Sequence, residues 1–196
     1  AHALRTPLAG MDAQLAVALR ECTPDIRPRL KQTREAANRL KRVVSTLLTL
    51  FRSGIETHWQ EVSVTSLLHN VTIDRLEISL VQPANVEADP DLLAAALINL
   101  LDNVVQHGGH HVTVRVQVDT RFQLISLQDD GPGVPESRLQ ELQRALALQD
   151  YDGHMGLGLM MADMVARAHG GTLNIANTGS GLGLTAELTL RRKPKA

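Results

Sequence analysis

The sequence predicts an α+β protein made of two parts, a helical hairpin followed by a layer of helices on one face of a mixed sheet. In the first part, apolar residues recur at spacings of three and four, which is the pattern of amphipathic helices. In the later part, short stretches alternate apolar and polar residues, as half-buried strands do. Helix-start and helix-stop residues separate these stretches.

Composition limits the classes of function. The chain has 196 residues, 43% of them apolar, which suffices for one domain with an extension. A net charge of -1, with no basic stripe, gives no sign of a nucleic-acid footprint, so we expect no nucleic-acid partner. Cys22 is the single cysteine, so no internal disulfide can form. The longest apolar run, Leu92 to Leu101, is too short to span a bilayer, and no signal peptide is visible. We expect the chain as given to be soluble.

The first part, residues 1–55, is predicted to be a hairpin of two helices. The first helix carries an apolar stripe at Leu4, Leu8, Met11, Leu15 and Leu19. A break follows at Cys22–Asp25, with Pro24 in the turn and Pro28 in the first turn of a second helix that should end near Gly54. Two helices cannot bury both stripes, so we expect a homodimer in which the hairpins form a four-helix bundle.

The second part, residues 60–193, mixes helices and strands. A strong helix start occurs at Asp89-Pro90-Asp91, with Asp89 as the cap and Pro90 at the first helical position. Predicted helices are Ser66–Leu76, Asp89–His107 and Gly156–His169, and predicted strands are Glu77–Val81, Asn85–Ala88, Val112–Val118, Phe122–Gln128, Thr172–Ala176 and Leu184–Leu190. Residues 135–152 are polar and long enough to form a mobile lid over a ligand.

Three stretches of the second part indicate a nucleotide site, although each has a plainer interpretation. Asn99 and Asn103 share one helix face, where amides can orient phosphates or bind magnesium, but Asn is also a common surface residue. Asp129, in Asp-Asp-Gly-Pro-Gly, can accept a hydrogen bond from the amine of adenine, but the same residues make ordinary turns. Glycines at 156 and 158 open a helix whose amides can face an anion, although glycine spacing alone is weak evidence.

The start of the chain, Ala1-His2-Ala3-Leu4-Arg5-Thr6-Pro7, places a histidine, an arginine and a threonine on one helix face. Five further motifs follow in this order along the chain: Asn-x-x-x-Asn, Asp-x-Gly-x-Gly, Gly-Leu-Gly-Leu, His-Gly-Gly and Gly-Leu-Thr. This order resembles the cytoplasmic core of bacterial two-component sensor histidine kinases, from His2 to about Leu190. The resemblance implies a phosphoacceptor hairpin followed by an α/β sandwich of the histidine-kinase ATPase type.

The resemblance also implies roles for individual residues. His2 would be the nucleophile toward ATP, Thr6 would help to direct water at a phosphorylated response regulator, and Arg5 belongs to the same catalytic motif. Asn103 would hold Mg²⁺, with Asn99 beside it on the phosphates, and Asp129 would read the adenine amine. The remaining residues implied at the nucleotide are His107, Gly131, Gly133, Gly156, Leu157, Gly158 and Thr185. The expected partners are a second copy of the chain and a receiver domain, and the expected location is the cytoplasmic portion of a bacterial inner-membrane protein, attached through segments absent from this chain.

Three positions depart from the family pattern. Ala3 stands where an acidic residue commonly follows the histidine, Gln106 where a lysine is usual, and His154 where a third glycine is common. Loss of a general base often costs about a hundredfold, which predicts measurable but slow autophosphorylation. Two alternatives follow: a degenerate ATP-binding dimer that acts mainly as a phosphatase or scaffold, and an ATPase of the chaperone or topoisomerase kind. The histidine hairpin argues against the second.

Overall fold

The computed structural model describes residues 2–34, 36–37, 44, 57–71, 73–151, 155–179 and 182–192. The chain divides into two compact units, Ala1–Arg52 and Ser53–Ala196. In chain order the described elements are α1 (His2–Glu21), α2 (residues 27–34), β1 (Gln60–Ser63), α3 (Val64–His69), β2 (Glu77–Gln82), β3 (Asn85–Ala88), α4 (Pro90–Gln106), β4 (His111–Val118), β5 (Phe122–Asp129), α5 (Glu136–Leu148), α6 (Leu157–Ala168), β6 (Thr172–Asn177) and β7 (Leu184–Arg191).

The first unit is a helical hairpin, as the sequence predicts. Pro24 lies in the turn after α1, and Pro28 lies in the first turn of α2. The guanidinium Nε of Arg34 lies 2.8 Å from Asp12 Oδ1, so a salt bridge ties α2 back against α1. The predicted continuation of the second helix to Gly54 lies outside the described residues, except at residues 36, 37 and 44, which are helical. No helix in the described part of the chain is long and apolar enough to cross a membrane.

The second unit is built on a mixed sheet of five strands in the order β2-β4-β5-β7-β6. β2 pairs with β4 in parallel, and the other neighbours pair antiparallel. β1 and β3 form a separate two-stranded sheet. The buried side-chain amide of Gln123 on β5 donates to the carbonyl of Glu87 at 2.9 Å and accepts from the amide N–H of Glu87, which joins β3 to the main sheet.

The helices cover one face of the main sheet, which confirms the predicted sandwich. Alternate residues of its strands are buried beneath the helices, at Val112, Val114, Val116, Ile125, Leu127, Leu173, Ile175, Ala186, Leu188 and Leu190. The residues between them, such as Thr113 and Arg115, are only half-buried on the other face. α4 and α6 pack against each other within the helical layer. The hydrophobic core of this unit therefore lies between these helices and the sheet.

The start of α4 follows from the sequence signal at Asp89. The Oδ1 atom of Asp89 accepts hydrogen bonds from the amides of Asp91 at 3.1 Å and Leu92 at 3.2 Å, and Pro90 is the first helical residue. The helix ends at Gln106, after which Gly108 takes a φ of +84°, a conformation that favours glycine. Both predicted ends of this helix are confirmed.

The predicted helix Ser66–Leu76 is wrong in its bounds. α3 begins at Val64, where Ser63 caps it through a 3.2 Å hydrogen bond from the amide of Ser66 to Ser63 Oγ, and it ends at His69. Beyond Asn70 the chain turns, and Arg75 takes a φ of +69° that a helix cannot contain. The capping signal of Ser63 outweighs the weaker apolar pattern that follows.

The prediction of a mobile lid over residues 135–152 is also wrong for most of its length. Residues 136–148 form α5, which packs on β6 through the buried side chains of Leu139, Leu142, Ala145 and Leu146. Gln143 adds a hydrogen bond of 2.8 Å from its side-chain amide to the carbonyl of Ile175. The polar residues of this stretch occupy the outer faces of an amphipathic helix.

Candidate functional site

The wall of the candidate site is the C-terminal half of α4. Asn99 is buried, at 4% exposure, and its Nδ2 atom donates to the carbonyl of Ala95 at 2.8 Å. One turn later, Asn103 is half-buried and its side-chain amide has no hydrogen-bond partner among the described residues. The two amides are therefore not equivalent, because Asn99 is partly committed to its own helix while Asn103 remains available to a ligand.

The N-terminus of α6 lies against this wall. A Cβ atom added at Gly158 would lie 3.1 Å from the carbonyl oxygen of Asn99 and 4.0 Å from Asn103 Oδ1. Gly156 caps α6 and is exposed, Leu157 is the first helical residue, and no described side chain bonds to the first-turn amides. The first amides of a helix point outward with partial positive charge, which makes a ready site for an anion. The start of α6, whose amides could receive an anion, thus lies close to the side chain of Asn103.

Asp129, the last residue of β5, is held in a fixed orientation. Its Oδ1 atom accepts hydrogen bonds from the amides of Gly131 at 2.9 Å and Leu184 at 3.0 Å. Its Oδ2 atom accepts no hydrogen bond from the residues that the structure describes. A carboxylate with one oxygen fixed and the other free is suited to accept a hydrogen bond from an amine.

Glycines bring the neighbouring chain close to Asp129. A Cβ atom at Gly131 would lie 3.0 Å from Asp129 Oδ1 and 3.6 Å from the carbonyl oxygen of His107, so the loop after β5 meets the end of α4. His107 itself is exposed and caps α4. At Gly183 a Cβ atom would lie 2.0 Å from the carbonyl oxygen of Asp129, and its φ of +95° favours glycine. Together these close approaches surround Asp129 with backbone.

Two further polar side chains shape the loop after β5, and sequence reasoning missed both. The Oδ1 atom of Asp130 accepts hydrogen bonds from the amides of His110 at 2.8 Å and His111 at 2.9 Å. These bonds hold the pKa of Asp130 below its usual value, and the bond from His111 has the largest effect. Asn177, at the end of β6, exchanges hydrogen bonds of 2.9 and 2.7 Å with the backbone of Val134. Gly133 precedes this clamp with a φ of +73°. Asp130 had a readable signal, since it stands beside Asp129 in the same motif.

The structure does not bring Thr185 to Asp129. Thr185 lies on β7 and pairs with Gln128 on β5 and with Ala176 on β6. The next residue of β7, Ala186, is buried and faces the helices. The side chain of Thr185 therefore belongs to the opposite face of the sheet. The residue beside Asp129 is Leu184, which contributes its backbone N–H. A backbone contact of this kind leaves no signal in the identity of the residue.

Buried Asp163 fixes the position of α6. Its Oδ2 atom accepts from Arg167 Nε at 2.7 Å and from the Tyr151 hydroxyl at 2.6 Å, and its Oδ1 atom accepts from the amide of Leu173 at 3.2 Å. Burial, followed by the hydrogen bond to Asp163, raises the pKa of Tyr151 to about 12. Arg167 also donates to the carbonyl of Leu146 at 2.6 Å. This cluster joins α6 to α5 and β6, and it was not predicted.

The remaining sequence-predicted residues belong to the first unit. His2, Arg5 and Thr6 lie in the first turns of α1, at the i, i+3 and i+4 positions expected of them. His154 lies outside the described residues. In the described part of the chain, no group of three or more His, Cys, Asp or Glu side chains could hold a metal ion.

Sequence comparison matches both units to known families. Residues 88–194 match the histidine kinase-, DNA gyrase B- and HSP90-like ATPase family, and residues 1–55 match the His Kinase A phospho-acceptor domain. The chain belongs to the sensor histidine kinase family. In the terms of this family, α1 and α2 belong to the phospho-acceptor domain, and the ATPase domain contains Asn99, Asn103, Asp129 and Gly158.

Individual histidine kinases are similar to the chain over nearly all of its length. Sensor protein BasS of Escherichia coli is 29% identical over 98% of the chain, and sensor histidine kinase WalK of Bacillus subtilis is 32% identical over 98%. The chain spans only 56% and 35% of these two relatives. The ATP-binding domain of PrrB from Mycobacterium tuberculosis superposes with a TM-score of 0.55 at 25% identity, covering 69% of the chain and 98% of that domain.

Proposed function

We propose that this chain is the catalytic core of a sensor histidine kinase, which transfers the γ-phosphoryl group of ATP to His2 and from there to an aspartate of a response-regulator receiver domain. The observation that carries the proposal is the combination of sites in the ATP-binding unit. Among the described residues, Asp129 has one carboxylate oxygen that accepts no hydrogen bond, and Asn103 has an unpaired side-chain amide beside the N-terminus of α6. A nucleotide needs both an acceptor for its base amine and an anion site for its phosphates.

In the first step, a ring nitrogen of His2 forms a bond to the γ-phosphorus as the bond to the β–γ bridging oxygen breaks. ADP leaves with that electron pair, and the N–H proton of the other ring nitrogen passes to water. The ring must be neutral to attack, because a protonated imidazole has no lone pair available on either nitrogen. Ala3, next to His2, has no group that could accept the proton. We therefore expect transfer to be slow rather than absent.

Asn103 supplies an oxygen that fits Mg²⁺, because this ion typically takes only one or two protein oxygens and completes its coordination with water and phosphates. When bound, Mg²⁺ would neutralise charge on the phosphates. The amides at the start of α6 bind and orient the phosphates, and Asp129 selects the base. Gln106, in place of the usual lysine, gives no positive charge, so binding depends more strongly on the cation.

The partners follow from the helical unit. Among the described side chains of α1, Met11 is 48% exposed and Val17 is 51% exposed, which supports burial against a second copy in a four-helix bundle. A receiver domain would accept the phosphoryl group from His2.

Because both ATP and receiver domains are found in the cytoplasm, we assign the core to the cytoplasmic side of a bacterial inner membrane.

The test is incubation of the chain with labelled ATP and Mg²⁺, followed by detection of acid-labile phosphate. We expect label on the chain as given, none on His2→Gln, and more on Ala3→Glu, where the added carboxylate can accept the proton. Asp129→Asn should abolish labelling by preventing nucleotide binding, whereas His2→Gln should still bind nucleotide. ATP binding without any label on His2 would contradict the kinase and favour the scaffold alternative. The named relatives, all sensor kinases, do not favour that alternative.

A further inference from the structure

Trp59, the only tryptophan of the chain, lies against a buried histidine far from the chemistry described above. Its ring centroid is 5.0 Å from that of His169, and the two planes meet at 69°, an edge-to-face contact. His169 is only 1% exposed, whereas Trp59 is half-buried. The tryptophan therefore covers the histidine from outside without being part of the deep core.

Both nitrogens of His169 are occupied by backbone. Its Nε2 atom lies 2.9 Å from the amide nitrogen of Asp89, and its Nδ1 atom lies 2.8 Å from the carbonyl oxygen of Val165. Since the amide of Asp89 can only donate, Nε2 must accept, and Nδ1 carries the proton that it donates to Val165. The ring is thereby fixed in one neutral tautomer that connects the end of α6 to the start of α4.

The segment before β1 is attached at the same place. The amide of His58 donates to Asp89 Oδ2 at 3.1 Å, while Asp89 Oδ1 caps α4. Trp59 follows directly and covers His169. Residues 58 and 59 are thus bound to the shared end of α4 and α6 through both a backbone hydrogen bond and a ring contact. Farther toward the N-terminus, the chain leads to the helical unit, which ends at Arg52.

The same two helices carry the nucleotide site at their other ends. Asp89 caps the start of α4, and Asn103 lies in the last turns of this helix, about 20 Å away at 1.5 Å per residue. α6 runs the opposite way, with Gly158 beside Asn99 at its start and His169 at its end. The contact between Trp59 and His169 therefore neither touches nor borders the groups that would bind ATP.

We propose that Trp59 is a positioning residue. By packing on His169, it attaches the segment before β1 to the end that α4 and α6 share. Phosphoryl transfer to His2 requires this attachment, whereas nucleotide binding does not. The proposal rests on the proposed kinase function. A tryptophan that served only the fold would affect stability and nucleotide binding together. A positioning residue would separate the rate of transfer from the affinity for nucleotide.

The test uses the full chain as Trp59→Ala, Trp59→Phe and a control, Phe122→Ala, which removes another partly exposed aromatic ring, 43% exposed, at a hairpin tip. Nucleotide affinity is measured by titration with a fluorescent ATP analogue, and transfer by the initial rate of labelling of His2 at saturating ATP. For Trp59→Ala we expect affinity within about twofold of the parent and a rate at least about fivefold lower. Trp59→Phe should retain most of the rate, and Phe122→Ala should change neither quantity.

Two results would overturn the proposal: a Trp59→Ala chain that labels at the parental rate, or one that loses rate and affinity in parallel with its melting temperature. Hydrogen exchange supplies a measurement that does not depend on catalysis. Amides of residues 57–63 should exchange faster in Trp59→Ala and in His169→Gln, while those of α4 keep their protection. Unchanged exchange in both variants also refutes the attachment. If the parent chain binds ATP but never labels His2, the proposed kinase function is wrong, and so is the proposed requirement for phosphoryl transfer. In that case hydrogen exchange alone decides whether the attachment exists.

Discussion

Gly183→Ala should weaken nucleotide binding through backbone geometry alone. The new Cβ atom would lie 2.0 Å from the carbonyl oxygen of Asp129, about 1 Å closer than such contacts allow, so the start of β7 must move away. A residue other than glycine at a φ of +95° adds a cost of about 1–2 kcal/mol. A movement of about 1 Å would lengthen the 3.0 Å bond from Leu184 N–H to Asp129 Oδ1 beyond hydrogen-bonding range.

Hydrogen bonds to charged groups contribute about 1.5–3 kcal/mol, so loss of this bond should release Asp129 from its fixed orientation. If that cost appears in binding, affinity for nucleotide falls about tenfold or more. The assay is titration with a fluorescent ATP analogue, with thermal melting to confirm that the variant is folded. Gly179→Ala is the matched control, because a Cβ atom at Gly179 meets nothing within 4 Å. Parental affinity in Gly183→Ala would refute the reasoning, as would an equal loss in Gly179→Ala.

Three other predictions test groups outside the nucleotide site. Tyr151, the only tyrosine, should stay protonated at pH 10 in the folded chain and ionise near 12 by ultraviolet titration, and Asp163→Asn should lower that midpoint. Gly171→Ala should destabilise the chain by at least about 2 kcal/mol in urea unfolding, because its Cβ would lie 1.8 Å from the carbonyl oxygen of Thr189. Burial lowers the pKa of His169 from 6.5, so the imidazole binds a proton less readily in the folded state than in the unfolded state. The unfolding free energy should therefore fall as the pH drops below about 6.5. His169→Gln should flatten the fall in melting temperature between about pH 7.5 and 5.5, and an equally steep fall would contradict this assignment.

The sequence specified local structure best where the determining chemistry is itself local. Asp89-Pro90 defines the start of α4 because capping and a fixed φ act within four residues. The strand β4 was readable from the alternation of Val112 to Val118 with polar residues. The helix α5 was missed because its many charged and amide side chains suggested an open loop, although Leu139, Leu142 and Leu146 repeat at helical spacing.

The candidate site was predictable only in part, for the same physical reason. Asn103 and Asp129 carry their chemistry in their side chains and stand in recognisable motifs. The amide of Leu184 reaches Asp129 from 55 positions along the chain, and its side chain plays no part in that contact. Similarly, the bond between Asp89 and His169 spans 80 positions, so nothing near either residue signals it. Contacts of this kind arise from strand pairing and helix packing, which a single sequence does not display.

The arrangement of Asp129 has a consequence for the choice between purine nucleotides. A carboxylate oxygen is an acceptor; no described residue donates to the Oδ2 atom of Asp129, and its Oδ1 atom already accepts from the amides of Gly131 and Leu184. Adenine presents an amine at C6, whereas guanine presents a carbonyl oxygen there, which would place one acceptor against another. Because the surrounding backbone holds Asp129 in place, the carboxylate cannot turn to relieve this repulsion. With adenine bound to Asp129 as proposed, we therefore expect the site to disfavour GTP by repelling the carbonyl oxygen of guanine as well as by binding the amine of adenine.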